Sequence, residues 1–484
     1  MSAAEPGSFR DRDSRVVVAD DAIYRALSPE GAEDWAALAA SPLVDQLMAN
    51  GQLIGTREAD GSVLGELGGS VTGEPGGSVT GASGSLLPTG VAKVLEHDRI
   101  PFVSYPYEWT FSMLRDAACL QLDLGIAAVD HGLALKDATP YNVQFTGSSP
   151  VFIDIGSFEK IREGEPWVGY RQFCMLYLYP LLFQAHKDLP FHPWLRGSID
   201  GIAPIDAIKV FSLSDRLRRG VFLHTSLHAR LDRRANKSGP GSEEGNRTKR
   251  EVKPSQIQAQ LQSMKRLVEK LRWKAGETSW SGYRQSNTYS DDDDRRKQAF
   301  VAEVAASQNP GITWDMGCND GAYSRIAAEN SDLVVAFDFD HATVEALYRS
   351  LKQEGNTRIL PLVSNLADPS PALGWRGLER KTLSDRGAPD LMLALALIHH
   401  VSISANIPIA DFLQWARDLE TTLLIEFPKR TDPMVRALLA NKHEGANPDY
   451  DEGNFERELE ARFTVERREE LPSGDRVLFL ARPR

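Results

Sequence analysis

The sequence predicts an α/β protein of unlike parts: an α+β region over residues 1–215, a basic linker and helix over 216–275, and a doubly wound domain over 276–484. Three observations carry this. From Gly311 onward, short apolar runs alternate with amphipathic stretches, the switch of period expected of parallel strands and crossover helices. A glycine-bearing loop follows the first of those runs, where an open α/β sheet takes its ligand. The chain has 484 residues, 42% hydrophobic and 25% charged, a composition ordinary for globular domains and long enough for more than one core.

The elements follow in order. The opening, MSAAEPGSFRDRDSR, is polar and lacks an apolar segment of the kind that directs secretion. Residues 61–85 are rich in Gly, Ser and Thr, with GGSVTG starting at both Gly68 and Gly76, so a flexible surface insertion is expected. IPFVSYPYEW reads as a strand running into a turn. Next comes a helix with Met113, Ala117, Leu120, Leu124 and Ala127 at three- and four-residue spacing, then a short strand at 150–155. WVGYRQFCMLYLYPLLFQ reads as a buried helix bent or ended near Pro180. The stretch 235–254 carries the composition of an exposed loop, and 256–274 is helical. Strands are expected at 312–314, 333–337, 359–362, 391–395, 422–426 and 476–481.

Composition excludes several classes. No run of 18 apolar residues occurs, so no membrane-spanning helix is expected. The three cysteines, Cys119, Cys174 and Cys318, are scattered, which argues against a disulfide framework and fits a reducing cytoplasm. Residues 216–274 hold 16 Lys/Arg against 5 Asp/Glu, a net +11, leaving −23 on the rest of a chain whose total is −12. That segment reads chiefly as a solvated connector; it lacks the interleaved aromatics of a base-stacking surface, which argues against a nucleic-acid partner.

The most informative stretch is ITWDMGCNDGAYSRIAA, residues 312–328. A strand ends in Asp315, a loop carries Gly317 and Gly321, and a helix begins near Ala322. Glycines let the backbone turn tightly and approach a ligand closely. A second strand ends in Asp338, 17 residues beyond Gly321, where a carboxylate accepts hydrogen bonds from ribose hydroxyls. Asn319 stands where a dinucleotide fingerprint has its middle glycine, and Asn tolerates positive φ better than most residues. This constellation resembles motifs I and II of the class I S-adenosylmethionine-dependent methyltransferases. The resemblance covers residues 276–484 and implies a Rossmann-like, seven-stranded sheet closed by an antiparallel hairpin, with S-adenosyl-L-methionine as cofactor. It implies adenine contacts from Asn365 and Leu366, with Asp368 as a competitor for Asn365, and a lid over the cofactor from WSGYRQSNTYS, including Trp280, Tyr283 and Tyr289. At the end of the fourth strand, His399 and His400 are candidates for removing a proton from the methyl acceptor, His399 being favoured from strand alternation. Glu426, ending the next strand, is a candidate to complete that polar site.

A second pattern lies upstream. HGLALKDATPYNVQF followed by VFIDIGSF places Asp137 five residues before Asn142, with Asp154 and Gly156 on the strand that follows. It resembles the catalytic loop and D-x-G of kinases and small-molecule phosphotransferases, by which Asp137 would orient a hydroxyl while Asn142 and Asp154 held Mg²⁺. Lys136 stands where kinases carry Arg or Gly, and no glycine-rich nucleotide loop or V-A-I-K strand is legible upstream. Taken together, the halves resemble a group of bacterial methyltransferases with this N-terminal region, some of them nodulation-related. The expected function is methyl transfer to a hydroxyl or amine of a small or carrier-bound molecule, with the N-terminal region binding substrate or a partner. The alternatives are a bifunctional phosphotransferase/methyltransferase and a cofactor-binding module without catalysis.

Overall fold

A computed structural model describes residues 3–19, 22–60, 63, 69–71, 79–81, 90–227, 251–276, 290–443 and 445–484. The N-terminal half opens with strands β1 (Ala3–Ala4), β2 (Ser14–Val18) and β3 (Ile23–Leu27). They are joined in one antiparallel sheet by β4 (Thr56–Glu58) and β7 (Lys93–His97), in the order β1-β2-β3-β7-β4. Of the expected insertion, β5 (Gly69–Val71) and β6 (Val79–Gly81) pair with each other. Apart from Val63, the rest of 61–85 lies outside the described residues, as does most of the 235–254 loop.

Helix Phe111–Asp130 starts on Thr110, whose hydroxyl caps the Met113 amide, and buries Met113, Ala117, Leu120 and Leu124 as the spacing requires. After it come β8 (Leu133–Leu135), β9 (Val143–Thr146), β10 (Ser149–Phe152) and β11 (Phe158–Lys160), with β8 paired to β11 and β9 to β10. The stretch around Pro180 is helical from Tyr170 to Lys187, with a π-helical turn at Cys174–Leu178. In the connector, helix Pro254–Lys270 is not a solvated appendage. It lays Ile257, Leu261, Met264 and Val268 on helix Phe111–Asp130, where Gly125 leaves room for Leu261.

The C-terminal half is a seven-stranded sheet: β12 (Ile312–Met316), β13 (Leu333–Asp338), β14 (Ile359–Val363), β15 (Leu391–Ala394), β16 (Thr422–Pro428), β17 (Phe463–Glu470) and β18 (Arg476–Pro483). Its order is β14-β13-β12-β15-β16-β18-β17, parallel except for the β17–β18 hairpin, whose β18 lies antiparallel to β16. Strands β13, β14 and β15 are buried along their whole length, which is why they read as unbroken apolar runs.

The halves share one core. IPFVSYPYEW forms no strand; its prolines deny it a ladder, and it serves instead as a wedge. Phe102 packs edge-on against Trp314 of β12 and Phe337 of β13, with ring centroids 6.0 and 6.1 Å away. Glu108 accepts both Arg386 terminal nitrogens at 2.6 and 2.7 Å, with the two side chains 1% and 0% exposed. Glu345 takes the Ser112 amide and hydroxyl, and the Tyr348 hydroxyl donates to Asp116.

Candidate functional site

A cavity of about 440 Å³ opens at the C-terminal ends of β12 to β15, within the size range of small-molecule and cofactor sites. Its floor is the loop after β12. Gly317 has φ +82°, and a Cβ there would meet Leu397 at 3.4 Å; its amide and that of Cys318 both donate to the Phe337 carbonyl. Asn319 adopts φ +48°, so the left-handed turn expected at that position is present. Gly321 does not line the cavity. It is the residue before helix Ala322–Ala328, with φ +77°, and a Cβ would strike Leu347 at 2.6 Å, so packing demands the glycine.

The acids sit at different depths. Asp315 is buried on the cavity wall and accepts the Ser324 hydroxyl at 2.5 Å; burial, opposed by that bond and by Lys297, pushes its carboxyl up to about 6. Asp338, at the end of β13, accepts the Asn319 amide at 3.0 Å and the Asp340 amide at 2.9 Å. Burial raises its carboxyl, with those amides pulling the other way. Asn365 and Leu366 line the wall after β14, and the Asn365 side chain holds the Ala367 amide. Asp368 does not compete with Asn365, because it is bound by Arg196.

At the end of β15 the two histidines are placed otherwise than strand alternation suggests. Ala396, a non-glycine at φ +50°, turns the chain out of strand alternation, so His400 lines the cavity and His399 is fully buried behind it. Among the described residues neither His399 ring nitrogen has a hydrogen-bond partner, and burial, with His400 adjacent, holds its ring well below the ordinary value. Burial together with the Arg476 charge lowers His400 to about 4. Glu426 is not a cavity residue. It is fully buried, accepts Arg476 through Oε1 at 3.1 Å, and through Oε2 holds Lys297 at 2.6 Å and the Ala396 amide at 2.8 Å. Tyr289, Trp280 and Tyr283 lie outside the described residues.

Sequence reasoning missed Lys297, Asp294 and Tyr323, which line the cavity from the helix preceding the sheet and the helix after the glycine loop. Lys297 lies 4.6 Å over the Tyr323 ring, whose hydroxyl donates to Asp294. In DDDDRRKQ a charged run hides one inward lysine, and only helical phase separates it from its solvated neighbours.

The upstream residues also come together. Asn142 donates to the Ser157 hydroxyl, which donates to Asp154. Arg25 of β3 reaches the other Asp154 oxygen at 2.8 Å. Burial, with Asp154 nearby, raises the Asp137 carboxyl. Among the described residues no group of three His, Cys, Asp or Glu side chains is placed to hold a metal.

A seven-stranded sheet of this order, with its glycine loop after β12 and its acid at the end of β13, has the fold of the class I methyltransferases, the class whose cofactor is S-adenosyl-L-methionine. Over 476 residues, 98% of this chain and 94% of the relative, the sequence is 33% identical to nodulation protein NoeA of Rhizobium meliloti (strain 1021), and the chain belongs to that family. No protein-family model matches it. Solved structures similar to it include N-methyltransferase NodS from Bradyrhizobium japonicum WM9 in complex with S-adenosyl-L-homocysteine, at 11% identity over 43% of this chain and 99% of that one, TM-score 0.30. Another is magnesium protoporphyrin IX methyltransferase from Synechocystis PCC 6803 with bound S-adenosylmethionine, at 17% over 43% and 86%, TM-score 0.27.

Proposed function

We propose that the chain transfers a methyl group from S-adenosyl-L-methionine to a hydroxyl or amine of a small or carrier-bound molecule. The observation that carries this is the gathering of Gly317, Asp338, Asn365 and His400 around one cavity at the C-terminal edge of β12 to β15. When bound, the cofactor supplies an electrophilic methyl on a sulfonium. Gly317 lets the backbone come close, the Asp338 oxygens retain acceptor capacity for ribose hydroxyls, and Asn365 and Leu366 face the adenine end. His400, neutral above pH 5 by its lowered pKa, accepts a hydrogen bond from the nucleophile and orients its lone pair; so weak a base does little more. Mass spectrometry of small molecules released from the purified protein tests the cofactor, and transfer of labelled methyl from S-adenosylmethionine to hydroxyl and amine acceptors tests the reaction. Lack of transfer across both acceptor classes refutes it.

For the N-terminal half, which remains a kinase-like region by resemblance, substrate or partner binding is favoured over phosphotransfer. Arg25 places a protein cation on the Asp154 carboxylate, where a phosphotransferase would need a metal. Mg²⁺-dependent ATP turnover that vanishes in Asp154→Ala would reverse this reading. No helix among the described residues is long and apolar enough to cross a membrane, and a cytoplasmic setting is proposed on the scattered, unpaired cysteines.

A further inference from the structure

We propose that the N-terminal half completes the cofactor site, through a brace formed by helix His192–Gly197 behind the nucleoside end of the cavity. The inference rests on the reading of that cavity as an S-adenosylmethionine site.

Two walls of the cavity end in loops that this single short helix touches. The first wall is β13 with Asp338 at its tip. Three residues on, His341 begins the next helix, and its ring lies edge-on to buried His192, with centroids 4.1 Å apart. His192 is itself fixed by a hydrogen bond between its Nε2 and the Trp109 carbonyl at 2.7 Å. Asp340, between Asp338 and His341, gives its amide to the Asp338 carboxylate, so the contact reaches the ribose acid through one residue.

The second wall is Ser364–Ala367, which closes as a tight turn: the Asp368 amide donates to the Asn365 carbonyl at 2.9 Å. Arg196, four residues after His192, grips the far side of that turn. Its terminal nitrogens donate to both Asp368 carboxylate oxygens at 2.9 and 2.8 Å, and to the carbonyls of Asp368 and Pro369 at 3.2 and 3.1 Å. A planar guanidinium making four bonds to one turn fixes its orientation as well as its position. Immediately beyond, the Ser370 hydroxyl donates to Glu108, again from the N-terminal half. Asn365 and Asp338 are thus held in register with each other by an element that belongs to neither of their own strands. Arg196 is a positioning residue: it touches the turn, not the cavity.

The test uses the full chain and calorimetry with two probes, S-adenosylhomocysteine and 5′-methylthioadenosine, which keeps the nucleoside and lacks the amino-acid end. Arg196→Ala should weaken both probes by the same factor, about fivefold, the scale of one partly exposed charged fork. Asp368→Ala should match it, and the double variant should lose no more than either single one. Arg196→Lys, which keeps the charge and loses the fork, should show most of the loss. A general loosening of the fold would also lower both affinities alike, through the folded fraction, but it would lower Tm with them. The brace predicts an unchanged Tm, and a loss confined to S-adenosylhomocysteine or one that tracks a fall in Tm overturns it. So do affinities within twofold of wild type, or losses that add in the double variant. Failure of the unaltered protein to bind either probe refutes the cofactor reading instead.

Discussion

Replacing Glu108 by Ala asks whether the two halves are one folding unit. The Glu108–Arg386 pair is buried at the junction, and Arg386 also lies 5.0 and 4.9 Å over the rings of Phe102 and Tyr105. Glu108 further accepts the Ser370 hydroxyl and the Tyr105 amide. Removing it leaves a buried guanidinium without its counter-charge, which costs about 3–5 kcal/mol. The unfolding entropy is about 2.1 cal/mol/K per residue, so a cooperative unit of this length carries roughly 1 kcal/mol/K. The expected fall in Tm is therefore about 3–5 °C. Scanning calorimetry should show a transition common to both halves moving by that amount. Glu108→Gln with Arg386→Met, which removes both charges and keeps their volume, should recover most of the loss. A shift below about 1 °C, or two transitions of which only one moves, would refute the shared core.

Asp338→Ala should lower S-adenosylhomocysteine affinity at least tenfold by calorimetry, because it removes hydrogen bonds to a charged acceptor worth about 1.5–3 kcal/mol each and frees the Asn319 amide. For Asp315 the sign runs through burial: with its carboxyl raised to about 6, the native state keeps a proton between about pH 4 and 6 that the unfolded chain releases, so its stability contribution falls as pH rises through that window. Affinity for a ligand bearing an ammonium should rise from pH 5 to 7 in the wild type and flatten in Asp315→Asn, as read by titration at each pH. His400→Ala should cut methyl transfer about tenfold, the scale of one lost hydrogen bond, with cofactor affinity little changed, whereas His399→Asn should leave transfer intact and act on Tm alone. Equal losses of turnover at both positions would contradict the placement of the pair.

The C-terminal half was legible for a physical reason. Parallel strands buried on both faces must be apolar throughout, and a ligand loop at the end of the first must spare its Cβ atoms, so β12 to β16 and Gly317 stand out without any tertiary knowledge. The N-terminal sheet was not legible. β2, β3 and β4 are three to five residues long, β3 carries Arg25 at its centre, and β4 is separated from its partner β7 by residues 59–92, including the glycine-rich repeat. Arg25 signals its role only through the distant Asp154. Strand alternation favoured His399, but it does not survive the left-handed turn at Ala396, a conformation that alanine gives no reason to expect, and His400 is the one that lines the cavity. Glu426 looked like a site residue because it ends a strand at the right edge. Its partners Lys297 and Arg476, 129 residues before and 50 after it, make it the hub of a buried ion network instead.

The most direct test of the central claim is a calorimetric titration of the full chain with S-adenosylhomocysteine, paired with a melting curve at saturating ligand. The cavity at β12 to β15 predicts one site per chain with roughly micromolar affinity. At a hundredfold excess over Kd, it predicts a stabilisation of about 2.7 kcal/mol and a matching rise in Tm. A folded protein that gives no heat of binding and no change in Tm at millimolar ligand would contradict it.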